Sequence, residues 1–127
     1  MVWEDEAALS FLDINPITPG HALVVPRIHA ASLAELEPEL GAHLFRVAMH
    51  VSAALRLSAL RADGVNLFLA DGAAAGQDIF HVHVHVIPRF PGDGLEIRHA
   101  GTSPPRDVLD AHAARIRAAI DRAGEDI

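Results

Sequence analysis

The sequence contains no cysteine, no lysine and no tyrosine. Without cysteine there is no disulfide framework, no thiol nucleophile and no thiolate ligand for zinc or an iron–sulfur cluster. Without lysine there is no Schiff-base amine and no lysine-bearing phosphate loop of the common ATPase kind. Positive charge is scarce: ten arginines stand against seventeen acids, for a net charge of −7. That sign argues against a nucleic-acid partner, because sequence-independent binding needs a basic face. No apolar run approaches the ~18 residues of a membrane span, and no charged-then-apolar leader is present. A soluble, cytoplasmic protein without a membrane partner is therefore expected. The 127 residues fit one domain, expected to span 1–127, long enough to bury a core without staples.

Histidine is what the chain has in excess. There are nine, three of them within five positions. The usable chemistry is therefore imidazole, carboxylate, a few hydroxyls and backbone amides.

Periodicity organises the rest. Residues 7–12 and His21–Val25 read as strands, separated by a proline- and glycine-punctuated turn from Asn15 to Gly20. Ser32 is placed to cap a short helical turn, with Glu35 at capping-box spacing. Pro38 suits the first turn of a long helix. Leu40, Leu44, Val47, Val51 and Leu55 form one apolar stripe along it, and the helix is expected to end near Leu60. Val65–Ala70 and Phe80–Ile87 read as two more strands, the second stopped by Pro88. A loop spans Asp71–Gln77. Residues 91–105 are expected to be irregular. A second amphipathic helix is expected over about 106–122, with Leu109, Ala113, Ile116 and Ile120 on one face. The order indicates an α+β fold with a mainly antiparallel sheet, one long helix and a C-terminal helix.

The densest signal is His81-Val82-His83-Val84-His85-Val86-Ile87. Side chains alternate faces along a strand, so the three histidines share one face and the valines the other. Three imidazoles in a row support nucleophilic catalysis. A neutral ring with one nitrogen fixed as donor offers a lone pair on the other, and His83 is central. They also support a metal site, since a catalytic zinc takes three protein ligands. A histidine-rich edge strand without chemistry is the third reading.

The surrounding residues narrow this choice. Gly76-Gln77-Asp78-Ile79-Phe80, followed by the histidine strand and Pro88-Arg89, resembles the signature of the histidine triad (HIT) family. Phe11-Leu12-Asp13-Ile14-Asn15-Pro16, Pro19-Gly20-His21 and Val24-Val25-Pro26 are similar to its other block. The resemblance covers roughly residues 3–95. It implies a half-barrel antiparallel sheet, usually in a homodimer, binding purine nucleotides and acting at the α-phosphate as hydrolase or transferase. It implies His83 as the nucleophile, with His81 and His85 contacting phosphate or supporting His83. Asp13 matches a carboxylate that accepts from ribose hydroxyls, and Phe11 and Ile14 match apolar positions against the base. Gly76, Gln77 and Asp78 match the loop over the phosphates. His21 matches a position that orients a triad histidine.

No cofactor and no metal are expected. Zinc-bearing relatives place a ligand where His29 stands, but they add two cysteines that this sequence lacks, so His29 is read as a surface or capping residue. The sequence departs from the pattern at Ala70 and Asp71, where many members have an amide, and at Asp78, where the phosphoramidase branch often has serine. An ionised aspartate cannot donate a proton to a leaving group and repels phosphate. Asn66 is a possible compensating donor. Those departures keep open a nucleotide- or partner-binding module with little activity, beside a phosphoramidase, a dinucleoside polyphosphate hydrolase, an enzyme acting on nucleotidyl sulfates and a metal-dependent hydrolase.

Overall fold

The computed structural model describes residues 1–98 and 100–125. The chain divides into two compact units, Met1–Leu95 and the segment from Glu96 onward. The first holds strands β1 (Trp3–Glu4), β2 (Ala8–Leu12) and β3 (Ala22–Pro26), helix α1 (Pro38–Leu57), and strands β4 (Gly64–Phe68) and β5 (Val84–Arg89). The second holds helix α2 (Arg106–Glu125), which starts where expected and runs a few residues further. The five strands form one antiparallel sheet in the order β1-β2-β3-β5-β4.

Helix α1 covers one face of the sheet. Pro38 stands at its first turn behind Glu37, whose extended backbone breaks the preceding chain. Leu44, Val47, Ala48, Val51 and Leu55 are buried against Ala8, Ala22, Val24 and Val86 of the strands. Fully burying one such leucine or valine is worth about 1.5–3 kcal/mol, so this stripe fixes the helix on the sheet. Leu40, expected in the stripe, is only partly buried. The helix stops at Leu57, short of Leu60, because Ser58 turns extended and its N–H closes on the Ala54 carbonyl at 2.8 Å.

Two expectations shift for identifiable reasons. Strand β5 begins at Val84, not Phe80, and it runs through Pro88 instead of stopping there. Upstream of Val84 the partner's backbone is satisfied otherwise. The Pro26 carbonyl accepts from the His81 ring at 2.9 Å, and the Val82 N–H goes to the Ala30 carbonyl at 2.7 Å. Pro88 is tolerated because the β3 ladder ends at the Ala22–Val86 pair, so its missing N–H costs no ladder bond. Its carbonyl accepts from Thr18 Oγ1 at 2.6 Å. Strand β4 likewise spans Gly64–Phe68 rather than Val65–Ala70. The two-residue β1 carries no periodicity and was not expected from the pattern. Trp3 Nε1–H donates to Asp5 at 2.7 Å, and its ring stacks on His50 of α1 with centroids 5.2 Å apart. His43 of α1 reaches the same Asp5 carboxylate at 2.7 Å. The Trp3 hydrogen bond, followed by the Ala7 amide, holds that carboxyl well below its ordinary range.

Register defines the open face opposite α1. Phe11 pairs with Leu23, Leu23 with His85, and His85 with Phe68. Directly opposed residues share a face, so these four cross the sheet as one row. That row places apolar side chains beside a triad histidine. Gly20 leads into β3 at φ 91°, and an added Cβ would lie 2.8 Å from Leu60 Cδ1 and 3.1 Å from Leu55 Cδ2. Gly20→Ala is expected to lower stability by about 1–3 kcal/mol through left-handed strain and overpacking. Urea unfolding of both proteins measures it, and a loss below about 0.5 kcal/mol would contradict the packing described.

Candidate active site

The triad's hydrogen bonds assign a role to each ring. A carbonyl only accepts, so the 2.8 Å contact between His83 Nδ1 and the His81 carbonyl places a proton on Nδ1. The lone pair of neutral His83 is therefore on Nε2. The His81 ring is held at both ends. Its Nε2–H donates to Pro26, and its Nδ1 lies 3.2 Å from Nδ1 of His29. His81 thus supports His83 through its backbone carbonyl, while its own ring nitrogens are engaged within the protein. His29 is exposed, as expected for a surface residue, but its pairing with His81 was not legible in the sequence.

A second chain of contacts sets His85. The Ile17 N–H donates to His21 Nδ1 at 3.1 Å. The proton of neutral His21 is therefore on Nε2, which lies 2.9 Å from His85 Nδ1. His85 accepts there and presents Nε2–H as a donor. Burial is the main cause holding both rings below their ordinary pKa of 6.5; His83 and His21 push His85 further down, while Asp13 opposes both shifts. His21 is 1% exposed, so the relay is shielded from water at its inner end.

One cavity of about 510 Å³ gathers most of the expected site: Phe11, Asp13, Ile14, Asp78, His83 and His85 line it. Leu12, Asn15, Leu23 and Ile79 complete the lining. Leu23 was missed because its alternation within β3 carries no chemistry by itself; only the pairing register puts it beside His85. His81 lines an adjoining hollow of about 350 Å³ together with His83 and Phe11.

Gly76 and Gln77 line neither space. Gly76 ends a 3-10 turn in the left-handed region at φ 92°. Gln77 is buried, and its side chain clamps the loop. It accepts from Gly72 N–H at 2.8 Å and donates to the Ala31 and Ile79 carbonyls at 2.7 and 3.2 Å. Asp71 accepts from Leu33 N–H at 3.0 Å. Ser32 stands at the N-cap of the expected short turn, Leu33–Glu35, but its side chain makes no capping bond; the Ala31 amide instead donates to Glu35 at 2.7 Å. Asn66 is not a site residue: it accepts from Arg89 at 2.8 Å on β4. His99, which has no assigned role, lies outside the described residues.

Asp13, His21 and His85 each bring a ligand-type atom within 4.8 Å of the others. Zinc bonded to two imidazoles at about 2.0–2.1 Å in tetrahedral geometry separates their nitrogens by roughly 3.3 Å. The 2.9 Å His21–His85 contact is a hydrogen bond, and His21 Nε2 bears the proton. The cluster reads as a relay rather than a ligand set. Among the described residues, no helix is long and apolar enough to cross a membrane.

Comparison with known proteins identifies the family. The family model described as "HIT domain" matches residues 1–92, and the chain belongs to the HIT family. An uncharacterised HIT-like protein of Borreliella burgdorferi is 46% identical over 95 residues, covering 74% of this chain and 68% of the relative. Adenylylsulfatase HINT3 of Arabidopsis thaliana is 40% identical over 94 residues, 74% of this chain but 47% of that protein. The crystal structure of a HIT family protein from Bacillus anthracis superposes with a TM-score of 0.85 at 34% identity, covering 93% of this chain and 85% of that one. The fold is the HIT fold: α+β, with a five-stranded antiparallel sheet and two helices.

The neutral relay has a pH consequence. A histidine whose pKa is lowered on folding binds more protons when unfolded. Stability is therefore full above pH 6.5 and is lost as pH falls through and below that value. Denaturant midpoints should drop between about pH 6.5 and 5, before carboxylates titrate. His21→Leu should flatten that slope, whatever it does to absolute stability. An equal slope in both proteins would show that the buried His21 is not a source of it.

Proposed function

We propose that this protein hydrolyses or transfers nucleotidyl groups at the α-phosphate of purine nucleotide conjugates through a covalent His83 intermediate. The observation that carries the reading is the His83 Nδ1–H contact with the His81 carbonyl at 2.8 Å, which leaves Nε2 free as the nucleophile. Nε2 attacks phosphorus, the bond from phosphorus to the leaving group breaks, and that group takes the electron pair and then a proton from water. The imidazolium so formed keeps its Nδ1–H on the His81 carbonyl. Water next attacks phosphorus, the P–N bond returns its electrons to Nε2, and a nucleoside monophosphate leaves with release of a proton.

His85 donates Nε2–H to a phosphate oxygen, held in that tautomer by His21. Asp13 offers acceptors to ribose hydroxyls, and Phe11, Ile14 and Leu23 form an apolar bed for the base. Gly76 and Gln77 act by shaping the loop that carries Asp78. No cofactor is required by this scheme. Phosphoryl chemistry needs mainly positioning and charge stabilisation, which these groups supply. The name of the Arabidopsis relative supports an adenylyl substrate. All of these groups lie within 1–95, and we take 1–127 as one working HIT domain.

AMP release from an adenosine phosphoramidate and from diadenosine polyphosphates, in excess chelator, tests the reading. Wild type should form AMP, and His83→Ala should lose about 10³-fold or more in rate while still binding AMP. Retained turnover in that variant sinks the covalent mechanism. Activity abolished by chelator alone would favour a metal-dependent reaction.

We also infer a homodimer. The edge strand β4 leaves backbone groups unpaired, and Leu67, Phe68 and Phe45 of α1 are exposed beside an apolar hollow of about 230 Å³. Such an edge is ordinarily covered. The solution mass should be twice 13.6 kDa, and Phe45→Glu should return it to one copy. A monomeric wild type at micromolar concentration would refute this.

A further inference from the structure

We propose that Asp78 sorts substrates by the charge of the group that leaves the α-phosphorus, favouring amines that carry a positive charge near the scissile bond and disfavouring phosphate and sulfate. This inference rests on the function proposed above.

The cavity's charge balance carries the argument. Two carboxylates, Asp13 and Asp78, line it, and no arginine does among the described residues. The sequence has no lysine to supply a cation. The ion pairs among the described residues leave Asp78 out. A scissile phosphate already brings one negative charge to this site, so a second anionic group there meets carboxylate without compensation.

Placement tells which part of the substrate Asp78 meets. Two stretches of chain beside the histidines line the cavity: Leu12–Asn15, the end of β2 and the turn after it, and Asp78–Ile79, from the loop ahead of His83. In the function proposed above the nucleoside takes the first stretch, where Asp13 and Ile14 are. With phosphorus at His83 and His85 and the nucleoside on Asp13 and Ile14, we assign the departing group to the remaining charged part of the lining, Asp78. A carboxylate there attracts a cation and repels an anion, and it cannot hand over a proton as a hydroxyl can. Asp78 is therefore a specificity residue in this scheme and not a general acid. The contrast with a relative named for sulfate release makes the inference discriminating.

Three adenosine 5′-phosphoramidates of similar size test it: those of ethylenediamine, ethanolamine and glycine, with charges of plus one, zero and minus one on the amine side chain. Adenylyl sulfate is the fourth substrate. For wild type, kcat/KM should fall about five- to tenfold at each step from cation to neutral to anion at low salt. The ratio should shrink in 1 M salt, where the screening length is about 3 Å. Asp78→Asn, nearly isosteric, should flatten the series and gain on adenylyl sulfate. Dividing wild type by variant cancels the intrinsic reactivity of each amine. Dissociation constants for the corresponding 2-aminoethyl, 2-hydroxyethyl and carboxymethyl phosphodiesters of adenosine give a readout without turnover.

The same ranking in wild type and Asp78→Asn overturns the proposal while leaving the enzyme reading intact. No turnover of any substrate, with a charge ranking in binding that Asp78→Asn removes, overturns the enzyme reading and keeps charge selection. Neither turnover nor ranking overturns both. If Asp78→Asn does not fold, the salt dependence of the wild-type ratio decides, and a ratio unchanged in high salt refutes the role of Asp78.

Discussion

The backbone N–H of Ile17 fixes the direction of every hydrogen bond that follows it into the site. It donates to His21 Nδ1, so His21 must donate to His85, and His85 must present a donor to the cavity. Reversing one link would turn His85 into an acceptor facing the cavity, where the proposed substrate brings phosphate oxygens that also only accept. The fold protects this link from several sides. His21 N–H closes on the Thr18 carbonyl at 3.1 Å, and Thr18 Oγ1 ties the turn to Pro88 of β5. Gly20 allows the chain to bend there beside Leu55 and Leu60. The same turn therefore starts β3, carries the relay and joins the strand of histidines. The two prolines and the glycine from Asn15 to Gly20 shape a turn that positions His21 as well as reversing the chain.

Backbone carbonyls and amides do elsewhere what charged side chains do in many phosphate sites. The His81 carbonyl orients His83, and the Pro26 carbonyl holds His81. The loop before the triad is clamped by Gln77 through contacts with three backbone groups. These partners are dipoles with fixed direction, and they need little reorganisation when charge develops at phosphorus. They also explain why the triad is not one uninterrupted ladder. Residues 81–83 leave the sheet so that His81 can place its ring on Pro26 and its carbonyl under His83.

The sequence made the chemistry more legible than the geometry that positions it. Period-two alternation at 81–87 and the apolar stripe of α1 revealed the histidine face and the buried helix, because burial writes periodicity into residue type. Asp13, Phe11 and Ile14 came from a resemblance, and the cavity they share with His83 appears only once β2 is seen beside β3. Leu23 had no signal, since an aliphatic residue in a strand looks the same on either face. The β5 boundary was misjudged because residues 80–83 keep strand-like composition while their hydrogen bonds go elsewhere. Pro88 reads as a stop only if its N–H were needed, and that depends on where β3 ends, which is a tertiary fact. Asn66, a candidate donor by residue type, is drawn away by Arg89 across the strand pair.

Neutral histidines suit an acidic chain to the anionic substrate proposed above. A protein of net charge −7 gains little from long-range attraction of phosphate. Hydrogen-bond donors that remain neutral avoid a different cost: a buried imidazolium would have to be desolvated before any ligand arrives. His21 and His85 are held below their ordinary pKa mainly by burial, which favours them as neutral, directed dipoles. In the mechanism proposed above, attack on phosphorus places charge on the His83 ring, next to a carbonyl already aimed at its Nδ1–H. An interaction that strengthens as the ring becomes cationic stabilises the intermediate more than the resting site, which is the condition for catalysis rather than tight binding. The carboxylates in the cavity act against burial, since Asp13 and Asp78 favour the charged form of His85, and in the scheme proposed above they disfavour surplus anion beside the scissile phosphate.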